Sequence, residues 1–120
     1  MINEKQLGYE GEVFVSNWLS KQGFAVVARN YATRYGEIDL VVEKNEVLAF
    51  VEVKTRAASY FPLSAVITLG KQNRLIKAAK YYIFKHNVID KVCRFDVALL
   101  QQEGATFALE YLPNAFEQRQ

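Results

Sequence analysis

Cysteine and histidine occur once each in 120 residues, at Cys93 and His86. A single thiol excludes an internal disulfide framework and any Cys-based zinc cluster. A single imidazole excludes a His-rich metal site and speaks against a His-based triad. No apolar run approaches the ~20 residues of a membrane-spanning helix. The opening Met1-Ile2-Asn3-Glu4-Lys5 lacks the apolar segment of a secretion signal. Repeats, low-complexity tracts and Pro/Gly-rich linkers are absent too. What remains is 51% hydrophobic and 23% charged, the profile of one globular domain spanning residues 1–120. The expectation is a cytoplasmic, membrane-free protein that keeps its thiol reduced. Its chemistry must come from carboxylates, lysines, hydroxyls and a bound metal.

Net charge is only +2, but its distribution is uneven. Residues 21–80 hold ten Lys or Arg against five Asp or Glu; the remainder holds five against eight. Three of the five central acids are Glu37, Asp39 and Glu52. A basic middle with a few embedded acids suits a polyanionic partner.

Apolar spacing predicts a helix over Glu4–Lys21, with Leu7, Gly11, Phe14 and Trp18 in one row and Val15 and Leu19 beside it. Glycines at 8 and 11 suit a backbone that must approach the sheet or a ligand closely. Strands follow at Phe24–Arg29, Glu37–Glu43 and Val47–Lys54, with Asn30–Gly36 as a polar, aromatic connection and Thr55–Leu63 as a loop. A second helix spans Thr68–His86, apolar at Leu75, Ile76, Ala79, Tyr82 and Ile83. It is basic at Lys71, Arg74, Lys77, Lys80 and Lys85. Strands at Val92–Gln101 and Ala105–Leu112 flank a turn at Glu103-Gly104. Cys93 shares a strand face with Phe95, Val97 and Leu99 and reads as a small core residue. Arg94 and Asp96 share the other face and pair with each other or with helix groups. The order α-β-β-β-α-β-β predicts an α/β domain, a mixed sheet with helices on its faces.

The central hairpin carries the chemistry. If opposed residues sum to 91, Ile38, Leu40 and Val42 face Val53, Val51 and Ala49 on one wholly apolar face. The other face opposes Glu37 to Lys54, Asp39 to Glu52 and Val41 to Phe50. A one-residue slip mixes charge into both faces, so alternation selects this parity. Directly opposed Cβ atoms lie ~4.5–5.5 Å apart, so Asp39 and Glu52 repel each other where desolvation is costly. Either one carboxyl stays protonated or a cation sits between them, and Mg²⁺ accepts such oxygens while keeping waters. Lys54 lies on the same face. The competing arrangement is an internal ion-pair network, with Lys54 joined to Glu37 and Glu52, and Arg34 or Arg56 to Asp39. Glu12 stands at the edge of the first helix's apolar stripe.

Five segments together resemble the YraN-like family of small bacterial proteins: Gly8-Tyr9-Glu10-Gly11-Glu12, Arg29-Asn30-Tyr31, Gly36-Glu37-Ile38-Asp39-Leu40, Phe50-Val51-Glu52-Val53-Lys54-Thr55-Arg56 and Arg94-Phe95-Asp96-Val97. That family in turn is similar to Holliday-junction resolvases and the PD-(D/E)xK nuclease superfamily. The resemblance implies a restriction-endonuclease-like fold. It also implies a Mg²⁺- or Mn²⁺-dependent endonuclease that hydrolyses phosphodiester bonds in structured or branched DNA. At matching positions Asp39 and Glu52 would ligate metal, Lys54 would stand beside the nucleophilic water, and Glu12 would be a further acid. Arg34, Arg56, Lys71, Arg74 and Lys77 would bind flanking phosphates. Tyr31, Tyr35, Tyr60 and Phe61 are candidates to stack on an unpaired base. A resolvase-like task implies a two-fold homodimer. The alternatives are a non-catalytic nucleic-acid-binding module of the same fold, or an interaction domain in a DNA repair or uptake assembly.

Overall fold

Asn3 opens the first helix by accepting the Gln6 N–H on its side-chain oxygen at 2.8 Å, satisfying one of the orphan donors at a helix start. The computed structural model describes residues 3–57 and 66–117, so Tyr60, Phe61 and most of the expected 55–63 loop lie outside the described residues. Helix α1 runs Glu4–Lys21 and stops where Gly23 takes a φ of +95°. Strands β1 (Ala25–Thr33), β2 (Gly36–Lys44) and β3 (Val47–Arg56) follow. Helix α2 spans Leu69–Lys85, capped by the Thr68 hydroxyl, which accepts the Lys71 N–H. Strands β4 (Val92–Glu103) and β5 (Thr106–Phe116) complete the order.

The five strands lie in sequence order; β3 and β4 are parallel and all other neighbours antiparallel. The mixed sheet is therefore as expected. A parallel pair needs a long crossover, and α2 supplies it. α1 covers one face, burying Val15 and Leu19 against Leu40, Val42, Ala49, Val51, Ala98 and Leu100. α2 covers the other, burying Leu75, Ala78, Ala79 and Tyr82 against Ile38, Val41, Leu48 and Phe50. No helix of the described residues is long and apolar enough to cross a membrane.

Several expectations are corrected. The first strand is longer than its apolar run, reaching Thr33 and absorbing half of the expected 30–36 connection. Asn30 within it marks a change of face. Arg29 reaches α1, donating to the Ser16 hydroxyl at 2.7 Å, whereas Tyr31 packs on Tyr82 and His86 of α2. Residues two apart on a regular strand share a face; Asn30 between them has a φ of +48°, a conformation asparagine tolerates better than most residues. Ile38, paired with Tyr31, turns with it toward α2 and leaves the face of Leu40 and Val42. Tyr31 is thus packing, not a free base-stacking ring. Cys93 is exposed rather than in the core, because β4 begins at the sheet's rim beside exposed Val92. The last strand continues past Leu112 to Phe116.

Glycine is required at only one of the two positions on α1. A Cβ at Gly11 would overlap the Thr55 hydroxyl and press on Leu100, whereas Gly8 faces open space.

Candidate active site

The β2–β3 ladder follows the expected register from Lys44 opposite Val47 to Leu40 opposite Val51. There regular pairing stops. The expected ladder partners Ile38–Val53, Asp39–Glu52 and Glu37–Lys54 do not form. Instead the Asp39 carboxylate accepts the Val53 N–H at 2.8 Å. A side chain thus takes a β3 donor that a regular β2–β3 ladder would use, and the strands part where the acids lie.

Four carboxylates converge at this opening. Asp39 and Glu52 come from β2 and β3, Glu37 from the start of β2, and Glu12 from the middle of α1. Asn30 ties two of them together: with its amide oriented so that nitrogen rather than oxygen faces the acids, it donates to Glu12 Oε1 at 3.0 Å and to Glu37 Oε1 at 3.1 Å. The left-handed turn at Asn30 that swaps the strand's faces therefore sits on the residue that spans the α1 and β2 acids. Sequence reasoning placed Glu37 on the face of Asp39 and Glu52 but gave neither it nor Asn30 a role at the site. The signal available was an asparagine between Arg29 and Tyr31, a residue type suited to positive φ.

Electrostatics follow from burial and like charge. Burial, then the neighbouring Glu52, pushes the Asp39 carboxyl up to about 8, against the single opposing hydrogen bond from Val53. Glu52 is also raised by burial, with Lys71 and Lys54 partly offsetting it and Glu12 and Glu37 reinforcing it. Glu12 is raised by burial and by Glu37, and lowered by its bond to Asn30. Among the described residues, no lysine or arginine makes a close ion pair with Asp39 or Glu52. Of the ion-pair network weighed from the sequence, Lys54 acts on Glu52 at longer range than a close pair, as does Lys71.

Two grooves open on this cluster. One, of about 640 Å³, runs along α1 and is lined by Lys5, Gly8, Glu12, Lys54, Thr55 and Arg56. The other, of about 150 Å³, is lined by Glu37, Glu52, Lys71 and Arg74 at the start of α2. The structure thus brings Glu12, Asp39, Glu52, Lys54 and Lys71 into one neighbourhood with Arg56 and Arg74 at its edges. Lys77 stands outside it, exposed one turn beyond Arg74. Arg34 is at the β1–β2 turn, its guanidinium 4.9 Å from the Tyr35 ring centre and donating to the Tyr35 hydroxyl at 2.8 Å.

Among the described residues no three carboxylate, imidazole or thiol groups form a ready-made metal cage. Two half-buried carboxylates without a close cationic partner among the described residues do fit Mg²⁺, which takes one or two protein oxygens and otherwise waters and phosphate.

Sequence comparison places this geometry in a family. A "UPF0102 protein" of Dictyoglomus turgidum is 42% identical over 119 residues, covering 96% of this chain and all of the relative. One from Synechococcus is 40% identical over 94% of this chain and 92% of its own length. One from Geobacter metallireducens is 35% identical over 97% and 96%. Residues 11–100, which hold Glu12, Asn30 and the whole β2–β3 opening, match the family described as "Uncharacterised protein family UPF0102". With that match and full-length relatives at about 40% identity, the chain belongs to UPF0102, the YraN-like family.

Proposed function

We propose that the protein is a divalent-metal-dependent endonuclease acting on structured, including branched, DNA, on a restriction-endonuclease-like fold. The observation that carries this reading is the pair of half-buried, mutually repelling carboxylates, Asp39 and Glu52, flanked by lysines that do not neutralise them by close pairing. A sheet position that only needed filling would hold Val or Ile, so this arrangement costs stability and is explained by chemistry.

In this reading Asp39 and Glu52 hold Mg²⁺ or Mn²⁺. Bound there, such an ion supplies polarisation of a phosphodiester oxygen and a more acidic water. The chain's own residues do the rest. The Lys54 ammonium stands beside Glu52 to stabilise charge developing on the phosphate. Lys71 and Arg74 hold that phosphate from the α2 side, and Arg56 and Arg34 fix flanking phosphates without reading sequence. Glu12, fixed to Glu37 through Asn30, sets the acidic wall opposite Lys54.

The test is a cleavage assay beside a thermal melt. Wild-type protein with Mg²⁺ or Mn²⁺ is expected to cut branched DNA. Lys54→Met is expected to lose cleavage, keep DNA binding, and melt within a few degrees of wild type. A wild type that binds but cuts no nucleic acid, with Lys54→Met melting far lower, would replace the enzyme by a binding module.

A further inference from the structure

Helix α2 carries five Lys or Arg and no Asp or Glu in 17 residues. Its outer face also holds two aromatic rings that lie outside the core clusters, Phe84 and Tyr81. Phe84 is 82% exposed and Tyr81 39%. On a 100°-per-residue helix Tyr81 and Phe84 stand one turn apart on the same side. Arg74, Lys77, Lys80 and Lys85, all exposed, surround them. An exposed phenylalanine among lysines is a poor solvated surface, since it gains nothing from water and the core is already filled by Leu75, Ala78, Ala79 and Tyr82.

The stripe is continuous with the candidate active site. Lys71 and Arg74 line the groove that holds Glu52. Tyr81 contacts Tyr31 with ring centres 6.5 Å apart and lies within electrostatic reach of Arg34, whose guanidinium covers Tyr35. From Lys71 to Phe84 the helix advances about 20 Å, room for no more than about six nucleotides at the stacked spacing of ~3.4 Å.

We infer that the outer face of α2 is a stacking track for an unpaired strand of nucleic acid, its bases laid on Tyr81 and Phe84 and its phosphates held by Arg74, Lys77, Lys80 and Lys85. This rests on the nucleic-acid reading above and narrows it to a substrate with a single-stranded segment beside the scissile phosphate. Aromatic platforms between cations accept every base, because each has a π-face, so the track is indifferent to sequence. A duplex keeps its bases stacked on each other and offers these rings nothing beyond phosphate.

The experiment compares full-length protein on fluorescein-labelled (dT)12 and on a blunt 20-base-pair duplex, in chelator. Cleavage plays no part in this readout, so failure of the nuclease assignment would not disturb it. Phe84→Ala and Tyr81→Ala are each expected to weaken (dT)12 binding about tenfold, with duplex affinity and the salt slope unchanged. Phe84→Trp and Tyr81→Phe, which keep a ring, are expected to retain affinity. Unchanged (dT)12 affinity in both alanine variants would overturn the track, as would equal losses on duplex and single strand. It would also be overturned if Phe84→Ala converts a dimer to a monomer in sedimentation without touching oligonucleotide affinity, which would make this face a contact between copies.

Discussion

Asp96 on β4 and Asp39 on β2 are both carboxylates withdrawn from water, and their surroundings are opposites. Asp96 is fully buried and fully served. Arg94 Nε donates to both its oxygens at 3.0 and 3.2 Å, Tyr111 donates its hydroxyl at 2.5 Å, and the Asn114 N–H donates at 2.9 Å. These bonds span the irregularity between Phe95 and Val97 where β5 shifts register, so the network fixes the last two strands together. Asp39 has one backbone donor and three acidic neighbours. A buried charge with all its partners is architecture; a half-buried carboxyl left short of partners among like charges is, on the reading proposed above, a site for a cation.

The contrast breaks most visibly at Asp96. Asp96→Ala strands the Arg94 guanidinium, the Tyr111 hydroxyl and a backbone N–H, and is expected to cost about 3 kcal/mol. A melt lowered by roughly 10 °C or more would register it. Asp39→Asn keeps an oxygen for the Val53 N–H and removes a repelled charge. It is expected to raise metal-free stability by about 1–2 kcal/mol at pH 8. If both substitutions destabilise alike, the two carboxylates do the same job and the distinction fails.

A pH series sharpens the same point. The Asp39 carboxyl is raised from about 3.8 unfolded to about 8 folded. Between those values the folded chain holds a proton that the unfolded chain has released. Its contribution to stability is complete below about pH 4 and is lost as pH rises through about 8. Glu12 and Glu52 are raised as well and act with the same sign. Metal-free protein should therefore melt lower at pH 9 than at pH 5.5, and Asp39→Asn should flatten that slope. A flat wild-type profile would show that the acids are already neutralised.

How much of this was legible in the sequence depends on alternation. The register from Lys44–Val47 to Leu40–Val51 follows from apolar residues at every second position, as does the nearness of Asp39 to Glu52. The Arg94–Asp96 pair was legible from their shared face. The side taken by Ile38 was not, because it depends on one left-handed residue, Asn30, whose φ no periodicity encodes. Cys93 alternates with core residues yet lies at the rim, since a strand's pattern does not say where its sheet ends. Gly8 and Gly11 look alike in the sequence; only the packing against Thr55 separates them.

That last pair gives the smallest expected effects. Gly11→Ala should cost about 1–3 kcal/mol through overpacking against Thr55 and Leu100. Gly8→Ala should add about 0.5–1 kcal/mol from helix propensity alone. Chemical denaturation of the two variants resolves the difference, and equal effects would contradict the close approach of α1 at Gly11.

The central claim is that the Asp39–Glu52 opening is a cation site and the Asp96 network is not. Calorimetric titration of Mn²⁺ at pH 7 in two buffers of different ionisation enthalpy tests it directly. Because a ligating carboxyl held near 8 must give up its proton, binding is expected to release close to one proton per ion and to vanish in Asp39→Asn. Equal binding by wild type and Asp39→Asn, or no binding by either, would contradict the account.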